Sequence, residues 1–311
     1  MTRTDAHVSR PAAAAVFFRL LRVPEWAKNA FVFAPLVFSG LLTSPRAVQA
    51  ATLTAVAFCA AASAVYVFND LIDAERDRSH PKKRLRPIAA GIISRPAACA
   101  IAVLLAVLGI ELVLAARVPA SVLALAVAFL LVNLAYSLFL KQKVIADVLA
   151  IAVGYVLRVL AGGTAIGVEV TPWLLLCTFL LATFLGFSKR RHELVQLGSG
   201  SREHRPVLSL YTEPFLDQMS LLTLGMTLTC YILYTIAPET VARFGTGSLV
   251  YSSLIVMFAL FRYLFLLHVK KMGSPTEVLY YDRQIVLAIV VWLVYVVAVV
   301  YTGPALAGFI R

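Results

Sequence analysis

Apolar runs alternate along the whole chain with short stretches rich in charge, proline and glycine. Nine such runs can be drawn, at about 29–43, 47–70, 97–117, 119–140, 144–167, 171–188, 215–236, 247–269 and 284–308. About 20 consecutive apolar residues suffice to cross a bilayer as a helix, and most of the nine reach that length. The first is short, and only Arg117 and Pro119 part the third from the fourth. No periodic repeat, low-complexity tract or long linker interrupts the pattern. It predicts an all-α fold: a polytopic membrane protein built as a nine-transmembrane-helix bundle, with residues 1–311 as a single integral-membrane domain.

Composition agrees with that reading. Hydrophobic residues make up 61% of the chain and charged residues 14%, against about 25% charged in soluble domains. An ordinary cytosolic enzyme, a disordered chain and a disulfide scaffold are thereby excluded. Cys59, Cys99, Cys177 and Cys230 sit singly in apolar stretches and read as small buried hydrophobes. The apolar run from Pro11 to Phe18 is followed by Arg19 and Arg22 instead of small cleavage residues, so no cleaved signal is expected.

The net charge of +12 would suggest nucleic acid as the partner of a soluble protein. Here its placement records topology instead, and no nucleic acid is expected. Of the 28 Lys and Arg, 22 fall in 1–28, 71–96, 141–143, 189–214 and 270–283. The intervening loops hold four, Arg46, Arg117, Arg243 and Arg311, while Arg158 and Arg262 lie within spans. The positive-inside rule puts the N-terminal segment 1–28 and the two long loops 71–96 and 189–214 in the cytoplasm, with the C-terminus outside. The expected location is the cell (inner or plasma) membrane. Long loops on one face are frequently functional.

The end of the second run carries the chemistry. In Asn69-Asp70-Leu-Ile-Asp73-Ala-Glu75-Arg76-Asp77, the side chains of Asn69, Asp70, Asp73 and Asp77 fall within about 100° of arc on a helical wheel, with Glu75 on the far side. Three carboxylates on one stripe repel one another unless a cation neutralises them. Hard oxygen donors of this kind suit Mg²⁺, which takes one or two carboxylates and fills its shell with water and phosphate oxygens. A solvated acidic helix end, paired with Arg76, Arg78 and Lys82, is the plainer alternative. The run His80-Pro81-Lys82-Lys83-Arg84-Leu85-Arg86-Pro87 follows at once. It marks topology, and its cations also suit a phosphorylated substrate. After the sixth run comes Ser188-Lys189-Arg190-Arg191-His192-Glu193-Leu194, whose cations either stop the span or bind an anion directly.

The run from Asn69 to Asp77, followed by the His80–Pro87 stretch, resembles the first aspartate-rich motif of the UbiA-type membrane prenyltransferase superfamily. Members that transfer a prenyl group carry a second aspartate-rich motif after the sixth span, where this chain is basic. That departure is similar to one branch, the decaprenyl-phosphate phosphoribosyltransferases. Arg22-Val23-Pro24-Glu25-Trp26-Ala27-Lys28-Asn29 with Pro35-Leu36, the run Lys189–Leu194, and Pro275-Thr276-Glu277-Val278-Leu279 with Asp282-Arg283 also resemble that branch. Glu25 and Gln284 depart from its pattern.

The resemblance implies Mg²⁺-dependent transfer of a 5-phosphoribosyl group from 5-phosphoribosyl 1-diphosphate to a polyprenyl (decaprenyl) phosphate, with release of diphosphate, in the synthesis of lipid-linked arabinose precursors for cell-wall polysaccharide. Asn69, Asp70, Asp73 and Asp77 would be the metal-binding and catalytic set. Lys83, Arg84 and Arg86 would bind the donor's phosphates; Lys28, Lys189, Arg190 and Arg191 would orient the acceptor phosphate. Two rivals are prenyl transfer from a polyprenyl diphosphate to an aromatic acceptor and, from another class, secondary transport.

Intramembrane charge is costly and points to function by default. Asp147 near the cytoplasmic end of the fifth run is a candidate support or substrate contact. Arg158, about 16 Å deeper on nearly the same face, reads as a structural ion-pair partner, and Arg262 as a buried hydrogen-bonded charge. Tyr136 and Lys141 lie near the same rim, and Tyr136, Asp147 and Glu193 are supporting candidates. His80, His192, His204 and His268 lack metal-ligand spacing, and no catalytic histidine is assigned.

Overall fold

The computed structural model describes residues 13–79, 83–197 and 206–309. His80, Pro81 and Lys82 of the basic run, the first twelve residues, Arg202, His204 and Arg205 in the second long loop, and Arg311 lie outside the described residues. Among the described residues eight helices are long and apolar enough to cross a membrane: α1 (Pro45–Ile72), α2 (Arg95–Ala115), α3 (Ala120–Leu138), α4 (Ala146–Ala165), α5 (Pro172–Leu197), α6 (Glu213–Ile236), α7 (Ser252–His268, extended by the 3-10 turn Ser248–Tyr251) and α8 (Arg283–Phe309). They correspond to the second through ninth apolar runs. Proline opens several of them at a position where its missing N–H costs nothing, and Ser44, Ser94 and Thr212 cap α1, α2 and α6 by accepting from the backbone N–H three residues on.

The first run folds differently from the helix its hydropathy predicts. Val23–Phe33 is a 3-10 helix, continued by the short α-helix Ala34–Phe38 and a turn at Gly40 with φ 76°. Pro35 cannot donate to the carbonyl four residues back, so the helix cannot run through it unbroken. Long 3-10 stretches are uncommon, and tertiary contacts hold this one between α1 and α4. Trp26 donates to Ser63 Oγ at 2.9 Å, and Asn29 lies 3.1 Å from Cys59 Sγ. On the other side the Val32 carbonyl packs against Gly162, where a Cβ would lie 1.9 Å from the oxygen.

A second difference is at α5, which runs to Leu197 instead of stopping near 188. Residues 189–197 are therefore helical, and the loop predicted from 189 begins later. The charges there are neutralised within and across helices, which removes the reason for the chain to leave the helix. Successive helices pack antiparallel, α1 on α2, α3 on α4, α4 on α5, α5 on α6 and α7 on α8. This gathers the C-terminal ends of α1, α3, α5 and α7 with the N-terminal ends of α2, α4, α6 and α8 at one end of the bundle. Nearly all the charged candidates collect there.

Candidate active site

Asp73 caps α1, yet hydrogen bonds from Asp73 N to Asn69 O and from Asp77 N to Asp73 O, both 2.9 Å, keep a helix-like course into the short helix Ala74–Ser79. The predicted stripe thus survives the bend. Asp70 and Asp77 are buried, Asn69 and Asp73 half-buried, and Glu75 points away to Arg95 at 3.0 Å.

Within the stripe the carboxylates are claimed by basic side chains in two groups. Asp70 receives Arg22, and Arg86 Nη1 lies 3.0 Å from Asp70 Oδ1 and 2.6 Å from Asp77 Oδ2. Asp73 instead takes Lys141 Nζ at 2.8 and 3.1 Å. Among the described residues no three acidic, histidine or cysteine side chains converge on one cation position. The motif's three carboxylates thus divide between two groups of basic partners: a carboxylate at the low-dielectric rim needs a cation, and nearby Arg and Lys supply it. The donor chemistry still fits Mg²⁺, because Asn69 Oδ1 is buried with no hydrogen-bond partner. A carboxylate or two beside it, with phosphate oxygens, make a normal magnesium shell.

The basic candidates also divide. Arg86 joins the acidic group, while the 3-10 turn Lys83–Leu85 holds Lys83 half-buried and Arg84 exposed. On α5, Arg190 is 1% exposed; its Nε lies 3.0 Å from Asp147 Oδ2, and it also pairs with Glu193 one turn on. Arg191 binds Glu213 at 2.7 Å, Asp217 and the Leu267 carbonyl. The three cations of the predicted wall therefore take different partners. Consecutive helical residues point about 100° apart, so Lys189, Arg190 and Arg191 cannot share one face; Arg190 is held in a buried ion pair with Asp147, and Arg191 pairs with the more exposed Glu213 and Asp217. Lys189 lies within electrostatic range of Lys28, Glu193 and Glu25.

Lys28 pairs with Glu25 one turn before it, and Glu25 accepts from Thr276 Oγ1 at 3.2 Å. Burial would raise the Glu25 carboxyl, but Lys28, Lys189 and Arg22 around it hold it down at about 2. The three motifs singled out in the sequence, at 22–29, 189–194 and 275–279, thus meet. Tyr136 is half-buried near Arg190.

Asp147 and Arg158 share a helical face without meeting. Asp147, fully buried, serves Arg190 and Tyr211. Arg158 donates to Asn29 Oδ1 at 2.6 Å and to the Gly154 carbonyl at 2.8 Å, and lies 4.5 Å from the Phe129 ring centroid. An amide, a carbonyl and an aromatic face therefore replace the expected carboxylate partner. Arg262 pairs with Asp282 at 2.7 Å, and this hydrogen bond lowers the Asp282 carboxyl. Arg22, Glu25, Lys141 and Tyr211 were not among the predicted site residues. Arg22 and Glu25 stood in a recognised motif and Lys141 at the right rim, but nothing local marked Tyr211.

Residues 32–281 match the UbiA prenyltransferase family. The chain belongs to that family. The decaprenyl-phosphate phosphoribosyltransferase of Corynebacterium glutamicum is 28% identical over 92% of this chain and 87% of its own length. That of Mycolicibacterium smegmatis is 31% identical over 91% and 92%. Among solved structures, a UbiA homolog from Archaeoglobus fulgidus bound to GPP and Mg²⁺ superposes with a TM-score of 0.68 at 20% identity, over 92% of this chain and 99% of that one. The UbiA fold, with its multi-pass helical bundle, is therefore that of this transferase.

Proposed function

We propose that this UbiA-family transferase moves a 5-phosphoribosyl group from 5-phosphoribosyl 1-diphosphate to a polyprenyl phosphate. The observation that carries the reading is the asymmetry of the site: one acidic cluster at the end of α1 faces a wall where Lys189 and Lys28 stand and the carboxylates are committed to ion pairs. Such a wall suits an anionic acceptor better than a second metal–diphosphate. The names and lengthwise similarity of the two bacterial relatives support the same choice.

Asn69, Asp70, Asp73 and Asp77 would hold Mg²⁺, which when bound neutralises charge on the departing diphosphate as a Lewis acid. Lys83, Arg84 and Arg86 bind the donor's phosphates. Lys28 and Lys189 orient the acceptor phosphate, whose oxygen attacks the anomeric carbon while the bond to diphosphate breaks. Arg190 and Arg191, predicted to touch that phosphate, instead secure the end of α5, with Tyr136, Asp147 and Glu193 as support. A lipid phosphate is already an anion at neutral pH, so positioning and electrostatics carry the rate enhancement and no strong base is required. The segment 29–43 completes a ninth crossing. The N-terminus and the site are cytoplasmic, so the soluble donor arrives from the cytoplasm and the lipid acceptor from the bilayer.

The test is purified protein with labelled 5-phosphoribosyl 1-diphosphate, polyprenyl phosphate and Mg²⁺. Labelled lipid is expected. Its absence, with product formed instead from a prenyl diphosphate and an aromatic acceptor, overturns the reading. So does solute uptake into sealed vesicles that survives Asp73→Asn and Asp77→Asn.

A further inference from the structure

Tyr211 follows the 3-10 stretch Pro206–Leu210, on the return of the second long loop, and is 4% exposed. Its hydroxyl accepts from Ile145 N at 2.6 Å and donates to Asp147 Oδ1 at 2.7 Å. Ile145 has φ 67° and ψ −48°, and Ala146 N bonds the Val144 carbonyl at 2.8 Å. Residues 144–146 therefore form the positive-φ γ-turn, the rare and strained kind. A β-branched residue at such a φ is a true outlier, and strain of this sort persists only where the surroundings over-determine it.

The turn stands between two walls of the site. Just before it, Lys141 reaches Asp73 in the acidic cluster. Just after it, Asp147 holds Arg190, the neighbour of Lys189 on α5. Asp147 and Arg190 are sealed from solvent, so neither can exchange its partner for water. Burial and the adjacent Asp147 carboxylate keep the Tyr211 hydroxyl protonated well above its usual range, despite the opposing hydrogen bond from Ile145. It therefore remains a donor throughout the neutral region.

We propose that Tyr211 is a positioning residue whose hydroxyl locks the Ile145 turn, and through it sets Lys141 against Asp73 on one wall and Asp147–Arg190 beneath Lys189 on the other. The hydroxyl touches none of the residues assigned to the phosphates. Its effect is transmitted through the backbone of 141–147 and through one buried ion pair. The proposal rests on the phosphoribosyl-transfer reading only for the identity of the substrates.

Tyr211→Phe keeps the ring, which stacks on Phe215 with centroids 6.0 Å apart, and removes both hydrogen bonds. In the full chain, backbone hydrogen exchange across 140–148 is expected to rise about tenfold while exchange in α1 and α7 is unchanged. In the transfer assay kcat is expected to fall about tenfold, since small misplacements of oriented groups are costly, with KM for the lipid phosphate changing less than twofold. Unchanged exchange across 140–148 overturns the lock; faster exchange with an unchanged kcat overturns the positioning role. If Tyr211→Phe does not fold, the wild type decides: the Ile145 amide must exchange as slowly as those in the middle of α4, and rapid exchange there overturns the lock. Should the wild type make no labelled lipid, the functional reading fails, while the exchange comparison still judges the lock.

Discussion

Arg86 uses one guanidinium nitrogen to reach both Asp70 and Asp77. Its charge offsets the repulsion between the two carboxylates. Asp73→Asn and Asp77→Asn are each expected to lower kcat/KM for transfer about 100-fold or more, the scale seen when an electrostatic contact to the transition state is removed; steady-state assays at saturating Mg²⁺ check this. Arg190→Leu leaves the buried Asp147 without its cation and should cost about 3–5 kcal/mol. The double variant with Asp147→Leu should recover most of that, as thermal unfolding in detergent would show.

Glu25 gives a pH signature. Its carboxyl is depressed from 4.5 to about 2, so its stabilising contribution is complete above pH 4.5 and disappears as the pH falls through 2. The stability difference between the wild type and Glu25→Gln should be constant from pH 8 to 5 and narrow below that. The acidic spacing was legible in the sequence because one helix end carries it. The choice of cation for each carboxylate was not, because Arg22–Asp70 and Lys141–Asp73 join residues 48 and 68 positions apart.

At the scale of elements, hydropathy located seven of the eight long apolar helices to within a few residues at both ends, and the start of α5, since burial in lipid and the proline and serine signals at helix starts are both local. It failed where tertiary contact overrides local preference. The 3-10 helix Val23–Phe33 persists because Asn29 is held by Arg158 and the Val32 carbonyl rests on Gly162. Gly162→Ala puts a methyl into that carbonyl and should destabilise the protein by about 1–3 kcal/mol through overpacking. A lower apparent Tm in detergent, with Gly225→Ala as a control in open space, measures it. α5 overran its predicted end for a related reason: a run of cations reads as a loop until Asp147, Glu193, Glu213 and Asp217 are found beside it.

For the whole molecule, the sorting of positive charge makes a directional prediction. In a cysteine-free background on intact cells, Glu239→Cys should react with a membrane-impermeant maleimide and Glu75→Cys only after permeabilisation; the opposite pattern would invert the topology. The amino-acid sequence by itself determined the helical membrane class, the family, and the end of the bundle at which charge collects, because span length, charge bias and motif spacing are properties of contiguous residues. Only the tertiary structure decided which cations meet which carboxylates, that Arg190 and Arg191 serve ion pairs, and that Tyr211 closes on the turn before Asp147 from 66 residues away. Those outcomes depend on which helix ends are brought together, and a buried charge takes the partner that packing delivers to it.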